Sequence, residues 1–219
     1  MADTLVNING SNVQTLEILF MMTVVALLPS IVIMMTSFTR IIIVMSFLRN
    51  ALGMQQTPPN TVLVGISLFL TLFIMAPVVE DINVNAYTPY KNEEINQQEA
   101  LDRASAPLKD FMLKQTEKDS LDMYLNFSGT AAPENLEELP LKIVIPAFMT
   151  SELKRAFIIG FLLYIPFMLI DIIVSSTLMS MGMIMLPPAM ISLPFKILLF
   201  ITLNGWQLLF STLVKSFNI

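Results

Sequence analysis

Four long apolar blocks alternate with more polar stretches along this chain. They cover residues 16–48, 61–79, 156–186 and 189–214. About 20 helical residues cross a hydrocarbon layer of about 30 Å, and the first block contains an uncharged stretch of that length. Backbone in lipid must satisfy its own hydrogen bonds, and these blocks lack the alternation of barrel strands, so they predict helices. The expected fold class is all-α, with long helices of the membrane type.

Prolines mark the starts of two blocks and also lie within or at the ends of blocks. Proline pairs at positions 58–59 and 187–188 precede the second and fourth blocks. Proline has no backbone N–H, and at the start of a helix this group has no intrahelical partner, so proline is favourable there. Pro29, Pro77 and Pro166 lie inside or at the ends of blocks and predict kinked helices.

A polar insert separates the second block from the third. Apolar residues recur in it at three- and four-residue spacings between residues 96 and 115 and again between 120 and 127, which is typical of amphipathic helices. Pro107 is expected to kink or divide the first of these helices. Because about 60 residues is marginal for an independent core, we expect a small module packed on the membrane helices or on neighbouring subunits. The chain then divides into an N-terminal segment (1–15), a first helical hairpin (16–82), the insert (83–145) and a second helical hairpin (146–219).

Composition narrows the function classes. The 219 residues are 55% hydrophobic and 13% charged, against about 25% charged in soluble domains. The chain has no Cys and no His, which excludes thiol nucleophiles, disulfides and histidine metal sites. No P-loop, zinc-protease or nucleophile-elbow motif occurs, so we expect neither an enzyme nor a cofactor. The net charge is −5 and no basic stretch suits nucleic acid.

The charge distribution predicts a topology. The loop at residues 49–60 carries Arg49 and no acid, whereas the insert carries six basic and eleven acidic residues. The positive-inside rule places this loop in the cytoplasm and the insert outside, although Lys154 and Arg155 oppose that orientation. As one helix the first block would be about 50 Å long, which indicates that not every helix crosses a flat bilayer. No signal peptide is visible at the start.

Asp171 lies inside the third apolar block. An ionisable residue at the centre of a membrane helix costs about 2.5 to 3.5 kcal/mol on insertion scales, so it must face a protein partner or a water-filled cavity. It could be a proton or ion site, or a buried structural charge. We favour the structural role, because transporters usually group several such residues.

Glu152 and Lys196 are a second pair of candidates, each an isolated charge bordering an apolar helix. If the third and fourth blocks are antiparallel neighbours, the two residues lie near opposite ends within one chain. We therefore predict a charge pair between adjacent copies, and separate snorkelling of each residue is the alternative.

The segment 179–185 is rich in methionine. Methionine is flexible and polarizable, so it packs against irregular or changing surfaces. The segment could form a deformable seal in a pore, or it could be ordinary loop or core packing.

Three long motifs resemble the FliP/SctR family of type III export-gate proteins. They are TSFTRIIIVMSFLRNALGMQQTPPN at 36–60, PAFMTSELKRAFIIGF at 146–161, and MIMLPPAMISLPFK at 183–196 followed by NGWQ at 204–207. The resemblance covers nearly everything except the N-terminus and parts of the insert. The large insert and the GMQQTPP stretch are more similar to flagellar members than to injectisome members.

The resemblance implies a homo-oligomer, for which we expect five copies. FliQ-like and FliR-like subunits would join it, and the assembly would lie in the bacterial inner membrane at the flagellar basal body. Its helices would form a ring or cone, largely lifted from the bilayer and contacting lipid, around a channel for unfolded flagellar proteins. The family's methionine gasket maps to Met183, Ile184 and Met185, with Pro187 and Pro188 as the loop anchor. Flagellar members usually carry a cleavable signal peptide.

Two other functions stay open. A small-solute or ion transporter would use Asp171 as its coupling site, but we find no internal repeat relating the two halves of the chain. A membrane enzyme would need catalytic groups that this sequence does not show.

Overall fold

The computed structural model describes residues 5–8, 11–129, 135–183 and 185–217, and helices dominate it. The predicted all-α class is confirmed. The strands among the described residues form one short antiparallel hairpin, in which Val6 pairs with Val13. The elements in chain order are β1 (Leu5–Ile8), β2 (Ser11–Gln14), α1 (Thr15–Met35), α2 (Phe38–Ala51), α3 (Asn60–Ile82), a π-helical turn (Asn83–Tyr87), α4 (Thr88–Lys91), α5 (Gln97–Gln115), α6 (Lys118–Ser128), a 3₁₀ turn (Leu136–Glu138), α7 (Leu141–Ser180), α8 (Pro188–Thr202) and α9 (Gly205–Lys215).

The first apolar block is not one overlong helix. The axis turns by 81° between the end of α1 and α2. At the turn, the Thr39 hydroxyl donates to the Ile33 carbonyl at 2.6 Å, and the Thr36 hydroxyl donates to the Val32 carbonyl. These side chains occupy carbonyls near the end of α1, and such local bonds compete with the helical ladder. The fourth block is bent in the same way, by 63° between α8 and α9.

Two helices are longer than the apolar blocks that predicted them. The helical rod that begins with α3 continues to Lys91 and has 32 residues, and α7 has 40. Both are long and apolar enough to cross a membrane, and each bent pair could add one further span. The division between the first hairpin and the insert, predicted at residues 82 and 83, therefore falls inside a continuous helix. The division predicted at residues 145 and 146 likewise falls inside α7.

The core forms where α2 crosses α7. Buried α2 residues follow the spacing Ile41, Val44, Met45 and Leu48, which is one face of a helix. Much of the remaining apolar surface is outside, as at Phe73, which is 73% exposed. An apolar surface of this extent is typical of proteins that contact lipid or other proteins.

The insert packs on α7, as expected. The Glu117 carboxylate lies 2.6 Å from Lys154 Nζ, and the Glu117 backbone N–H donates to the Ser151 hydroxyl at 2.9 Å. Tyr124 and Thr150 share a hydroxyl hydrogen bond of 3.1 Å. Pro107 does not divide its helix, because α5 runs unbroken from Gln97 to Gln115.

A glycine allows the close approach of α2 and α7. A Cβ added at Gly160 would lie 2.5 Å from Cγ of Phe47, closer than carbon atoms can approach without movement.

We expect Gly160→Ala to lower the free energy of unfolding by about 1 to 3 kcal/mol through overpacking. Thermal unfolding in detergent measures the change. The matched control is Gly65→Ala, since no atom lies within 4 Å of its added Cβ. Equal unfolding temperatures for the two variants would contradict close packing at Gly160.

Candidate functional site

The second hairpin presents an exposed methionine tip. The loop at residues 181–187 joins α7 to α8, and Met185 in it is 98% exposed whereas Met183 is 43% exposed. Ile184, the middle residue of the predicted gasket, lies outside the described residues. Single methionines on a surface are common, but a fully exposed one at a hairpin tip has no packing role within its own chain.

The tip has a defined geometry on both sides. Gly182 has φ +74°, a left-handed conformation that suits glycine, and its N–H bonds to the Met179 carbonyl at 3.0 Å. The Met183 N–H bonds to the Leu178 carbonyl at 3.0 Å, which completes a Schellman end to α7. On the other side, Pro188 is the first residue of α8 and Pro187 directly precedes it. Their position is the one predicted for a loop anchor, and that anchoring role stays a prediction.

An ion pair braces the hairpin below the tip. Lys196 Nζ on α8 lies 2.6 Å from Asp171 Oδ2 on α7 and donates to the Ala51 carbonyl at 3.0 Å. Ser192, one turn before Lys196, donates to Asp171 Oδ1 at 2.6 Å. Ala51 ends α2, so the lysine also satisfies a carbonyl that has no helical partner. This cluster joins three helices about 13 Å from the tip at helical rise.

A second ion pair lies at the crossing of α2 and α7 and is fully buried. Arg40 Nε donates to Glu152 Oε2 at 2.8 Å, and Arg40 Nη2 donates to Glu152 Oε1. Both side chains are 0% exposed. Arg40 Nη1 donates to the Ser216 carbonyl at 2.9 Å, and the guanidinium lies 3.7 Å from the centre of the Phe217 ring. Arg40 therefore connects α2, α7 and the end of the described chain through bidentate, carbonyl and cation–π contacts.

The predicted pair of Glu152 and Lys196 assumed that each residue is an isolated charge, and these contacts show that this assumption is wrong. Neither is an isolated charge, because Glu152 pairs with Arg40 and Lys196 pairs with Asp171 within one chain. Glu152 and Asp171 are 19 positions apart on α7, which corresponds to about 28 Å of helix. A bond between Glu152 and Lys196 within the chain is thus excluded by distance. Pairing between copies stays a prediction, and it would require both residues to change or share partners.

We expected Asp171 to be buried, but it is only half-buried. Its side chain is 35% exposed, whereas that of Lys196 is 6% exposed. The structure gives it the ion-pair partner that a structural role requires. The partner was overlooked because it lies on the next helix, 25 positions later in the chain.

Arg40 was the important residue that sequence analysis overlooked as a site. It is a charge inside an apolar block, and the rule that singled out Asp171 applies to it equally. Ser216 and Phe217 carried no comparable signal. Among the described residues, no group of three His, Cys, Asp or Glu side chains is placed to hold a metal ion.

Breaking the buried pair should destabilise the chain strongly. Arg40→Gln or Glu152→Gln alone leaves one charge buried without its partner, which typically costs about 3 to 5 kcal/mol. The double substitution Arg40→Met with Glu152→Leu leaves no unpaired charge, so it should unfold closer to the parent than either single variant does. Denaturant unfolding in detergent provides the comparison.

The control for this experiment is Arg103→Gln, which breaks an exposed pair with Glu99 on α5. It should change the free energy of unfolding by less than about 1 kcal/mol. If either single variant at Arg40 or Glu152 were as mild as this control, the buried pair would not hold α2 on α7.

Comparison with known proteins shows relatives that cover nearly the whole chain. The FliP family profile matches residues 21–213, which include both ion pairs and the hairpin tip. The flagellar biosynthetic protein FliP of Bacillus subtilis (strain 168) is 51% identical over 203 residues, covering 93% of this chain and 92% of the relative. The proteins of the same name from Aquifex aeolicus (strain VF5) and Caulobacter vibrioides (strain ATCC 19089 / CIP 103742 / CB 15) are 50% and 49% identical, covering 95% and 100% of this chain and 88% and 84% of each relative. The chain belongs to the FliP family.

Proposed function

We propose that this chain is a pore-forming subunit of the flagellar type III protein export gate. Its family is that of the flagellar biosynthetic protein FliP, which gives it a role in the flagellar export apparatus. The observation that carries the finer proposal is the methionine tip, where Met185 is 98% exposed at the end of a braced hairpin. In a ring of copies, such tips would converge and contact one another.

The tip has the properties that a gate for unfolded chains requires. A closed constriction with an apolar lining excludes water and ions by dewetting. It must also deform, since side chains of every size pass, and methionine supplies this through its unbranched, rotatable side chain. Ile184 is stiffer at χ1, so Met183 and Met185 would contribute most of the compliance.

The rest of the hairpin supports the same proposal by holding the tip in place. The Asp171–Lys196 pair and the Ala51 carbonyl fix α7, α8 and α2 to one another below the loop. The tip can therefore deform while the helices that position it stay fixed. The exposed apolar surface of α3 and α7 would contact lipid, other copies in a pentamer, and FliQ-like and FliR-like subunits. The assembly would lie in the bacterial inner membrane at the basal body, with the insert outside the cytoplasm.

The transporter alternative is less well supported than the gate. It needs Asp171 to bind and release an ion or proton, yet this carboxylate is held by Lys196 and by the Ser192 hydroxyl. These two bonds are what a structural brace requires.

Asp171→Asn distinguishes the brace from an ion-coupling site. The amide keeps an oxygen that can accept from Lys196, and water reaches this pair because the Asp171 side chain is 35% exposed, unlike the pair of Arg40 and Glu152, so we expect nearly normal assembly and export. Lys196→Ala should reduce assembly, because it removes the donor to Ala51 and leaves Asp171 without its cation. Assembly is measured by native mass spectrometry and export by secreted flagellar protein. Normal assembly with no export in Asp171→Asn would favour proton coupling and contradict the brace.

Replacing the tip tests the gate itself. Changing Met183, Ile184 and Met185 together to Ala should make the membrane leak small ions, because the constriction loses its filling, while secretion continues in part. Ile184→Met alone should be nearly neutral, since it keeps the tip apolar. The measurement is ion conductance in cells that express each variant.

Met22→Ala is the matched control, because Met22 on α1 is 67% exposed and lies far from the tip in the sequence. It should leave the membrane tight. A triple tip variant as tight as this control would place the seal elsewhere, most simply on a partner subunit.

A further inference from the structure

A small pocket lies where the end of α2, the start of α3, α8 and α9 meet. Its volume is about 160 Å³, and its lining includes Leu48, Phe200 and Trp206. Arg49 is the one charged side chain among the described residues that line it. The pocket thus combines an apolar wall with a single cation.

Arg49 differs from the other cations that contact the core. Arg40 is neutralised by Glu152 and Lys196 by Asp171, whereas no carboxylate pairs with Arg49 in the described part of the chain. Its Nη1 donates to Asn60 Oδ1 at 2.5 Å and to the Pro58 carbonyl at 3.4 Å, and its buried Nε has no acceptor within the same described residues. A guanidinium has five N–H donors, and leaving them unused in apolar surroundings is unfavourable. Arg49 therefore lacks an anion.

An apolar groove lies next to this pocket. It lies between α7, α8 and α9, has a volume of about 430 Å³, and shares Leu48 and Phe200 with the pocket. Along α7 its lining extends from Phe167 to Ile159, which is about 12 Å of helix. The volume is within the range of about 300 to 1,000 Å³ found for small-molecule sites.

We propose that the pocket and the groove together bind an anionic phospholipid. The phosphate accepts hydrogen bonds from the donors that Arg49 leaves unused, and an acyl chain lies in the groove beyond Leu48 and Phe200. Charge complementarity selects this occupant, because a purely apolar helix from a partner would leave the guanidinium unneutralised. Basic pockets between membrane helices are known to bind anionic headgroups. Trp206, which lines the pocket, is consistent with a headgroup site at the membrane surface, since tryptophan is enriched where membrane meets water.

The test uses the purified oligomer in mild detergent and native mass spectrometry. Phosphatidylglycerol and phosphatidylcholine with identical acyl chains are added separately, and bound lipid is counted for each copy of the chain. We expect about one phosphatidylglycerol per copy, with at least about fivefold preference over phosphatidylcholine. Arg49→Gln should remove that preference, and Arg49→Lys should keep part of it, because lysine retains the charge without the planar fork. Leu208→Trp, which fills the groove, should weaken binding of both lipids.

Asn60→Ala is the decisive control. It removes the side-chain hydrogen-bond partner of Arg49 but leaves the guanidinium and its contact with the Pro58 carbonyl in place, so lipid preference should be unchanged or stronger. If Asn60→Ala lost the preference as Arg49→Gln does, Arg49 would act only by holding the loop before α3, and the proposal would be wrong. Unchanged preference in Arg49→Gln would also overturn it. So would lipid that binds only after the oligomer dissociates, because a neighbouring subunit would then cover the groove.

Discussion

Arg40 on α2 and Glu152 on α7 are both completely buried where their helices cross. Taking two charges out of water costs several kcal/mol for each ion, and this is offset only when every donor and acceptor is well placed. Here the carboxylate accepts from two guanidinium nitrogens, and the third nitrogen donates to Ser216. The apolar face of α2 can pack on α7 in many registers, but Arg40 and Glu152 can form their ion pair in only one of these registers. The pair therefore sets how the two halves of the chain fit together.

The other parts of the molecule follow from that register. With α2 fixed on α7, the end of α2 lies beside α8, where Lys196 can contact both Ala51 and Asp171. Helix α7 is thus held at two levels, by Arg40 and by Lys196, which are about 28 Å apart along it at helical rise. Beyond the second level lies the loop with Met183 and Met185, whose side chains are exposed. This arrangement places a deformable apolar tip on a fixed support.

The sequence predicted the helical class, the membrane character and the family, because long apolar blocks and long motifs carry that information. It placed Asp171 in a structural role but could not show its partner, because Lys196 lies on another helix and antiparallel packing had to bring them together. It divided the chain near the ends of the apolar blocks, whereas α3 and α7 continue as helices through the polar residues there. It missed Arg40 because the need of a charge inside an apolar block for a partner was considered only at Asp171. The contacts of Ser216 and Phe217 depend on the path of α9 after the 63° bend, which no local pattern indicated.

The proposed gate function requires that the loops between α7 and α8 of several copies meet around a shared pore. The most direct measurement is an image of the purified complex at a resolution that separates individual helices. We expect a closed ring of copies with the loop at residues 181–187 of each copy on the axis, at the narrowest point of a channel. A complex in which these loops lie on the outer surface, or which has no central channel, would contradict it.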